Sequence, residues 1–488
     1  MDQHRRKELG AYYTPDSVVQ SLVNWAVSAR TDRMLDPACG DGRFLVVHRN
    51  SVGVEGDPLA AATVHARSPG SLIHQGDFFA WAAKTHERFE CAAGNPPFIR
   101  YQRFSGAVRE AALAVCSAHG ANFSSLSSSW APFLVATASL LKPDGRMAFV
   151  VPAEIGHAPY AVPLLEYLVG NFGSVHIIAV REKLFPELSE DCWLLSCGGF
   201  GGEAKTINLS RLSHFEPSSH PPKADCTISL RAWRQWSHRL RPFLLSNEAM
   251  SLYDSIATSP TSRCLSDLAR IGIGYVTGAN DFFHLRPSVA GRLGIADRFL
   301  CPAVRSGRNL VGETISRQTV DQWWKDDEPN FLLRLQGQNN LPVPVCSYLE
   351  SEDGKVARES YKCRNRSPWY VVPDVHVPDA FLSYMSGRSP SLVANCGACV
   401  ATNSVHVVRM KRGISVASLQ RRWADPLTKL SCEIEGHPLG GGMLKLEPRE
   451  AARVLVRPRA ARDRKDAATI MDAIDCMRRW RHYGQGEE

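Results

Sequence analysis

The chain has 488 residues, 44% of them hydrophobic and 22% charged, with a formal net charge of +8. That is the balance of a globular protein long enough for two or three cores. Its mild basicity permits a nucleic-acid partner without demanding one. Fourteen cysteines without regular spacing exclude a disulfide framework and predict reduced, cytoplasmic thiols. No apolar run approaches the ~20 residues of a membrane span, and the charged start MDQHRRKELG lacks a signal-peptide core.

Residues 1–215 alternate short apolar strands with helix-length stretches. DRMLDPACGDG runs a strand into a Gly-containing turn, and NSVGVEGDP, LIHQGDFF, FECAAGNPPF and GRMAFVVPAE follow as further strands. SVHIIAVREKLFP and DCWLLSCGGF are close enough in sequence to pair as an antiparallel hairpin. This alternation predicts an α/β fold with a doubly wound, Rossmann-like sheet. Such sheets bind ligands outside the carboxyl ends of their strands. SSLSSS (124–129) reads as a short flexible loop, and SHFEPSSHPPKA (213–224) as a linker leading into connecting helices over 216–265. From 266 to 448 the texture is irregular and mainly β, with many Gly, Pro and Asn turns, and 449–488 is a basic helical tail. Cys396 and Cys399 form a lone Cys-x-x-Cys, and no metal site is expected.

The residues with chemistry sit at the strand ends. In DPACGDG, Gly40 lets a ligand approach the backbone, while Asp36 and Asp41 make the turn negative. That disfavours a polyphosphate and suits an ammonium group. Glu55, ending the second strand, can accept from two ribose hydroxyls. Asp77 can take an adenine amino group while Phe78 covers its ring. Amino acid, ribose and adenine together describe S-adenosylmethionine. In NPPF, the Asn95 side chain and the carbonyl preceding a proline are two rigid acceptors, fixed by Pro96 and Pro97, that could grip both hydrogens of an exocyclic amino group. Holding both frees the nitrogen lone pair for attack, so positioning and electrostatics replace a strong base. Phe98 offers a stacking face for a base flipped out of a duplex.

With these motifs in hand, the sequence resembles a Taq I-type, γ-class adenine-N6 DNA methyltransferase over nearly its whole length. GAYYTP (10–15) resembles the motif that closes over the methionine end of the cofactor, which implicates Thr14. LDPACGDGRF implicates Asp36 and Ala38, GVEGDP Glu55, and GDFF Asp77 and Phe78. LFPELSEDCWLLSC resembles a hairpin whose phenylalanine, here Phe185, covers the other face of the flipped base. GIGYVTGANDFF, PDAFLSYMS with VATNSVHVV, and GGGMLKLEP resemble a C-terminal target-recognition domain. The resemblance implies a methyltransferase domain over 1–215 and a target-recognition domain over 266–448. It also implies a monomer acting on double-stranded DNA in a bacterial or archaeal cytoplasm, in a restriction–modification or other defence system.

NPPF chemistry also serves glutamine in proteins and guanine N2 in RNA, so an enzyme of either kind stays open, as does a catalytically inactive specificity module. Cytosine C5 chemistry would need a Pro-Cys thiolate, and the sequence contains no such dipeptide. No convincing Pro-Asp…(Asp/Glu)-x-Lys nuclease core is found, which leaves a separate endonuclease or defence protein open as a partner. The basic stretches 421–426, 456–465 and 478–484 are either solvated faces or phosphate contacts.

Overall fold

The computed structural model describes residues 14–188, 190–335, 340–457 and 464–484. Residues 10–13 of GAYYTP and 458–463 of VRPRAARDRK lie outside the described residues. The chain divides into two compact units, Met1–Leu244 and Leu245–Glu488.

The first unit is built on one nine-stranded sheet in the order β3-β2-β1-β4-β5-β7-β6-β8-β9. The first five strands are β1 (Met34–Asp36), β2 (Ser51–Glu55), β3 (Leu72–Gln75), β4 (Phe89–Gly94) and β5 (Leu141–Pro152). All five run parallel. The expected hairpin is β6 (Phe172–Val180) with β7 (Cys192–Phe200), and β7 inserts antiparallel between β5 and β6. β8 (Thr206–Leu212) and β9 (Cys226–Ser229) close the far edge. Because β1 has β2 on one side and β4 on the other, the winding reverses between β1 and β4. Crevices at such a reversal are where doubly wound sheets hold ligands.

Helices pack on the sheet because their apolar residues recur at helical spacing. α1 (Asp16–Ala26) buries Val18, Val19, Leu22, Val23 and Ala26 in one cluster with Met34, Cys91, Ala93 and Ala148 of β1, β4 and β5. α2 (Arg43–Val47) follows the glycine turn. α3 (Pro58–Arg67) starts on an Asp57 cap with Pro58 in its first turn, and α4 (Phe78–Ala82) on an Asp77 cap. α5 (Gly106–Ala118) precedes α6 (Trp130–Ala138), in which every residue is buried. That explains a helix apolar on all sides.

Two expectations from composition are corrected. The stretch 213–224 does not link domains: it joins β8 to β9, which pair antiparallel within the first unit's sheet. It is docked on α1, where the Ser218 amide donates to Ser21 Oγ at 3.0 Å and its carbonyl accepts from the Trp25 indole at 3.2 Å. Ser, Pro and His richness reports the lack of a repeating backbone pattern, not departure from the domain. SSLSSS is exposed only in its first half: Ser124, Ser125 and Leu126 face outward, whereas Ser127, Ser128 and Ser129 are buried.

The second unit carries mixed sheets with helices between them. A five-stranded sheet orders Ala269–Ile273, Val405–Met410, Ala380–Ser383, Leu392–Asn395 and Thr314–Ile315. A four-stranded sheet joins His284–Leu285, Phe331–Leu333, Leu300–Val304 and Val400–Ala401. The helix Arg464–Arg479 packs on the helix Pro426–Glu435 and buries Ile470, Ala473, Ile474 and Met477. Just beyond it, Arg481 is fully buried and forms an ion pair with Glu433 at 2.7 Å. The basic stretch 478–484 is therefore partly structural: Arg481 also donates to the Gly442 carbonyl, and Arg478 faces the same Glu433 at 3.7 Å. Cys399 is buried, its thiol pushed up to about 12 by burial, whereas Cys396 is exposed. Among the described residues no group of three or more His, Cys, Asp or Glu could hold a metal, and no helix is long and apolar enough to cross a membrane.

Candidate active site

A cavity of about 770 Å³ opens at the carboxyl ends of the parallel strands. It is lined by Thr14, Ala38, Gly40, Asp41, Glu55, Asp77, Phe78, Asn95 and Pro97, so nine residues singled out from the sequence converge there. Asp36, Pro96, Phe98 and Phe185 do not line it.

Asp36 ends β1 and is buried. Its Oδ1 accepts from the Ala38 amide at 3.2 Å, and its Oδ2 is buried without a partner among the described residues. Burial above all pushes this carboxyl up to about 8, with the Ala38 amide opposing and the Glu55 and Asp41 charges adding to the rise. A Cβ on Gly94, at the end of β4, would come within 2.8 Å of Asp36 Oδ1, so glycine is required there for the two strand ends to pack. Gly40 has φ +52° and open space where a side chain would stand. Its amide donates to Glu55 Oε2 at 2.8 Å, and the Asp57 amide donates to Oε1 at 2.7 Å. Glu55 thus stitches the end of β2 to the glycine turn, and burial raises its pKa as well. Asp77 caps α4, accepting from Ala80 at 2.8 Å. The buried Phe78 ring lies nearly parallel to Phe133 of α6, 15° apart in plane and 5.1 Å between centroids.

The NPPF segment is held from two sides. The Asn95 Nδ2 donates to Thr14 Oγ1 at 3.2 Å, bringing the residues before α1 onto the end of β4. Arg43 extends that strap, reaching the Thr14 carbonyl at 3.3 Å and Asp16 and Asp41 at 3.0 Å. From the other side, Ser129 Oγ donates to the Pro97 carbonyl and accepts from the Ile99 amide at 2.9 Å, while its own amide donates to the Ile99 carbonyl at 3.0 Å. Among the described residues no hydrogen bond is made to the Pro96 carbonyl. Phe98 is half-buried against the apolar cluster that contains the buried Phe185.

The lining is acidic, with Asp41, Glu55, Asp57 and Asp77, and its one arginine, Arg43, is engaged by two carboxylates. Such walls repel a polyphosphate and suit a ligand with an ammonium group, hydroxyls and an aromatic amine. The sequence reading missed Ser129, Phe133 and Gly94. The serine-rich composition concealed the first, and Phe133 looked like ordinary core of an apolar helix. Gly94, in the opening glycine of GNPPF, was in plain view.

Residues 237–483 match the family described as the C-terminal domain of type II methyltransferase M.Eco57I, and residues 2–68 match the N-6 DNA methylase family. The type II methyltransferase M.XamI of Xanthomonas campestris pv. amaranthicola is 24% identical over 490 residues, covering 93% of this chain and 86% of that one. M.AccI of Acinetobacter calcoaceticus is 18% identical, covering 96% and 88%. Among solved structures, the type IIL restriction-modification enzyme MmeI in complex with DNA shares the fold at TM-score 0.56 and 13% identity, covering all of this chain and 78% of that one. The chain spans 65% of the type IIG restriction endonuclease BpuSI, at TM-score 0.44 and 14% identity. With just over half of its length matching that C-terminal domain, the chain belongs to the type II methyltransferase family of M.Eco57I, within the N6-adenine DNA methyltransferases.

Proposed function

We propose that the chain transfers a methyl group from S-adenosylmethionine to the N6 amino group of an adenine flipped out of duplex DNA. It does so as the monomeric modification component of a restriction–modification system, with cleavage left to a separate endonuclease. Target recognition falls to residues 266–448. The observation that carries this reading is the place of Asn95, in the wall of a cavity whose other walls bear Glu55 and Asp77.

The residues present fit that cofactor. Asp36, whose Oδ2 is buried without a partner among the described residues, would ionise against an ammonium, Glu55 would accept from ribose hydroxyls, and Asp77 and Phe78 suit an adenine amine and ring. Thr14, Ala38 and Gly40 shape the methionine end. When bound, the cofactor supplies a methyl already activated by its sulfonium.

The chain's own part is positioning. The Asn95 side-chain carbonyl and the Pro96 carbonyl accept the two N6 hydrogens, drawing the nitrogen lone pair out of conjugation with the ring. Pro96 and Pro97 hold these acceptors rigid. Phe98 and Phe185 flank the base, and admitting a ring between them costs Phe185 its present apolar packing. Stacking contributes ~1–3 kcal/mol per base in return.

Replacing Asn95 by Ala is expected to abolish methyl transfer to duplex DNA while leaving cofactor affinity within about twofold; full activity would sink the assignment. Asp77→Ala should instead weaken cofactor binding, read by calorimetry.

A further inference from the structure

The basic stretches most conspicuous in the sequence are partly consumed by the fold, since Arg478 and Arg481 serve Glu433. A less conspicuous stretch keeps its charge outward. Between Glu359 and Asp374 there is no acidic residue, and Lys362, Arg364 and Arg366 fall within it. Arg366 turns inward and donates to the Val276 carbonyl. Lys362 and Arg364 stay exposed and form no ion pair with a described residue. Both cations stand over the ring of Tyr361, at 5.9 and 5.5 Å from its centroid, and that ring is itself 67% exposed. An uncovered aromatic ring carrying two cations that no described carboxylate engages is a surface suited to an anionic polymer.

This cluster is joined to the 276–280 loop by several contacts. Besides Arg366, the Cys363 thiol donates to the Thr277 carbonyl at 3.4 Å. Gly278 lies so close that a Cβ there would come within 2.7 Å of the Lys362 Cβ, and its φ of +88° already favours glycine. Asn280 is exposed on the same loop, its side-chain oxygen fixed by the Thr277 hydroxyl at 2.6 Å. The fully exposed carboxylate of Asp281 next door is engaged by Arg305 at 3.0 Å.

We propose that this platform seats the sugar–phosphate backbone of duplex DNA, with Lys362 and Arg364 each neutralising one phosphate and Tyr361 packing beside them. Contacts of this kind fix the register of a protein on the duplex without reading sequence. The proposal rests on the DNA reading above.

The test is the salt dependence of binding to a fluorescent duplex by the full chain, followed by anisotropy. Each phosphate contact contributes ~0.9 to the slope of log affinity against log salt. The double variant Lys362→Gln/Arg364→Gln should therefore lower the slope by about 1.8, and each single variant by ~0.9. The affinity loss should be alike on duplexes with and without the target sequence, and cofactor affinity and melting temperature should match the parent. A steep slope in the parent that the double variant leaves unchanged overturns the platform alone. A parent that shows no salt-dependent duplex binding overturns the DNA reading and the platform together.

Discussion

The Asn95 amide donates to the Thr14 hydroxyl at 3.2 Å, across 81 residues of sequence. The bond uses the nitrogen end of the side chain, which sets the direction of the carbonyl end. Thr14 therefore has a second task besides lining the cavity: it orients the acceptor assigned to the target amine. Thr14→Val, which keeps the shape and removes the hydroxyl, should cost ~1 kcal/mol of positioning and slow single-turnover methylation roughly fivefold. Thr14→Ser should restore most of the rate. Equal rates for Val and the parent would show that the bond orients nothing of consequence.

Ser129 is expected to matter for rate rather than for affinity. Ser129→Ala leaves the Ile99 amide without its acceptor and the Pro97 carbonyl without its donor, two losses of ~1 kcal/mol or more each. The turnover number should fall at least tenfold while calorimetric cofactor affinity changes less than about threefold. A loss confined to cofactor affinity would place Ser129 in the cofactor site instead of behind the NPPF segment.

Asp36 predicts a pH signature. Its carboxyl titrates at about 8, so from the ordinary carboxylate range up to that pH the folded chain holds a proton that the unfolded chain has released. Folding stability attributable to this group then falls as pH rises through the window and levels off above it. Asp36→Asn should flatten that part of the profile in thermal melts of the cofactor-free protein between pH 5 and 9. Bringing an ammonium group to this carboxylate favours its ionised form, so cofactor binding near pH 7 should release protons in the parent but not in Asp36→Asn. Calorimetry in buffers of different ionisation enthalpy reads this directly, and identical proton release in both proteins would count against the assignment.

The pairing of Arg481 with Glu433 predicts a stability effect separable from DNA binding. Removing one partner of a buried ion pair costs up to about 3–5 kcal/mol, here lessened by Arg478, which faces the same Glu433 at 3.7 Å. Arg481→Ala should lower the melting transition of the second unit. At temperatures where it remains folded, its salt slope on duplex DNA should equal the parent's. A reduced slope with unchanged melting would make Arg481 a phosphate contact after all.

The strand ends were legible in the sequence because each is a local pattern: a short apolar run, then a glycine or proline turn carrying an acid or an amide. DPACGDG, GVEGDP, GDFF and GNPPF all fall at the carboxyl ends of β1 to β4, and those four parallel neighbours must gather their ends on one edge of the sheet. The hairpin of β6 and β7 was legible because its two apolar runs lie close together in sequence. The stretches 124–129 and 213–224 were misread because polar composition is shared by solvent-facing loops and by loops that pack against the fold. Ser129 looks like its neighbours until the Pro97 carbonyl is brought beside it.

Local sequence thus determined the parallel sheet, the edge on which its chemistry sits, and the residue types offered there. Tertiary structure alone decided which of those groups are already engaged. It turned Arg481 inward and left Lys362 and Arg364 outward, gave Thr14 and Ser129 their hold on the NPPF segment, and left Asp36 Oδ2 buried without a partner among the described residues. The physical reason is that a charge or hydroxyl acquires its energy from its surroundings. Partners 30, 48 or 81 residues away meet only when the chain has folded.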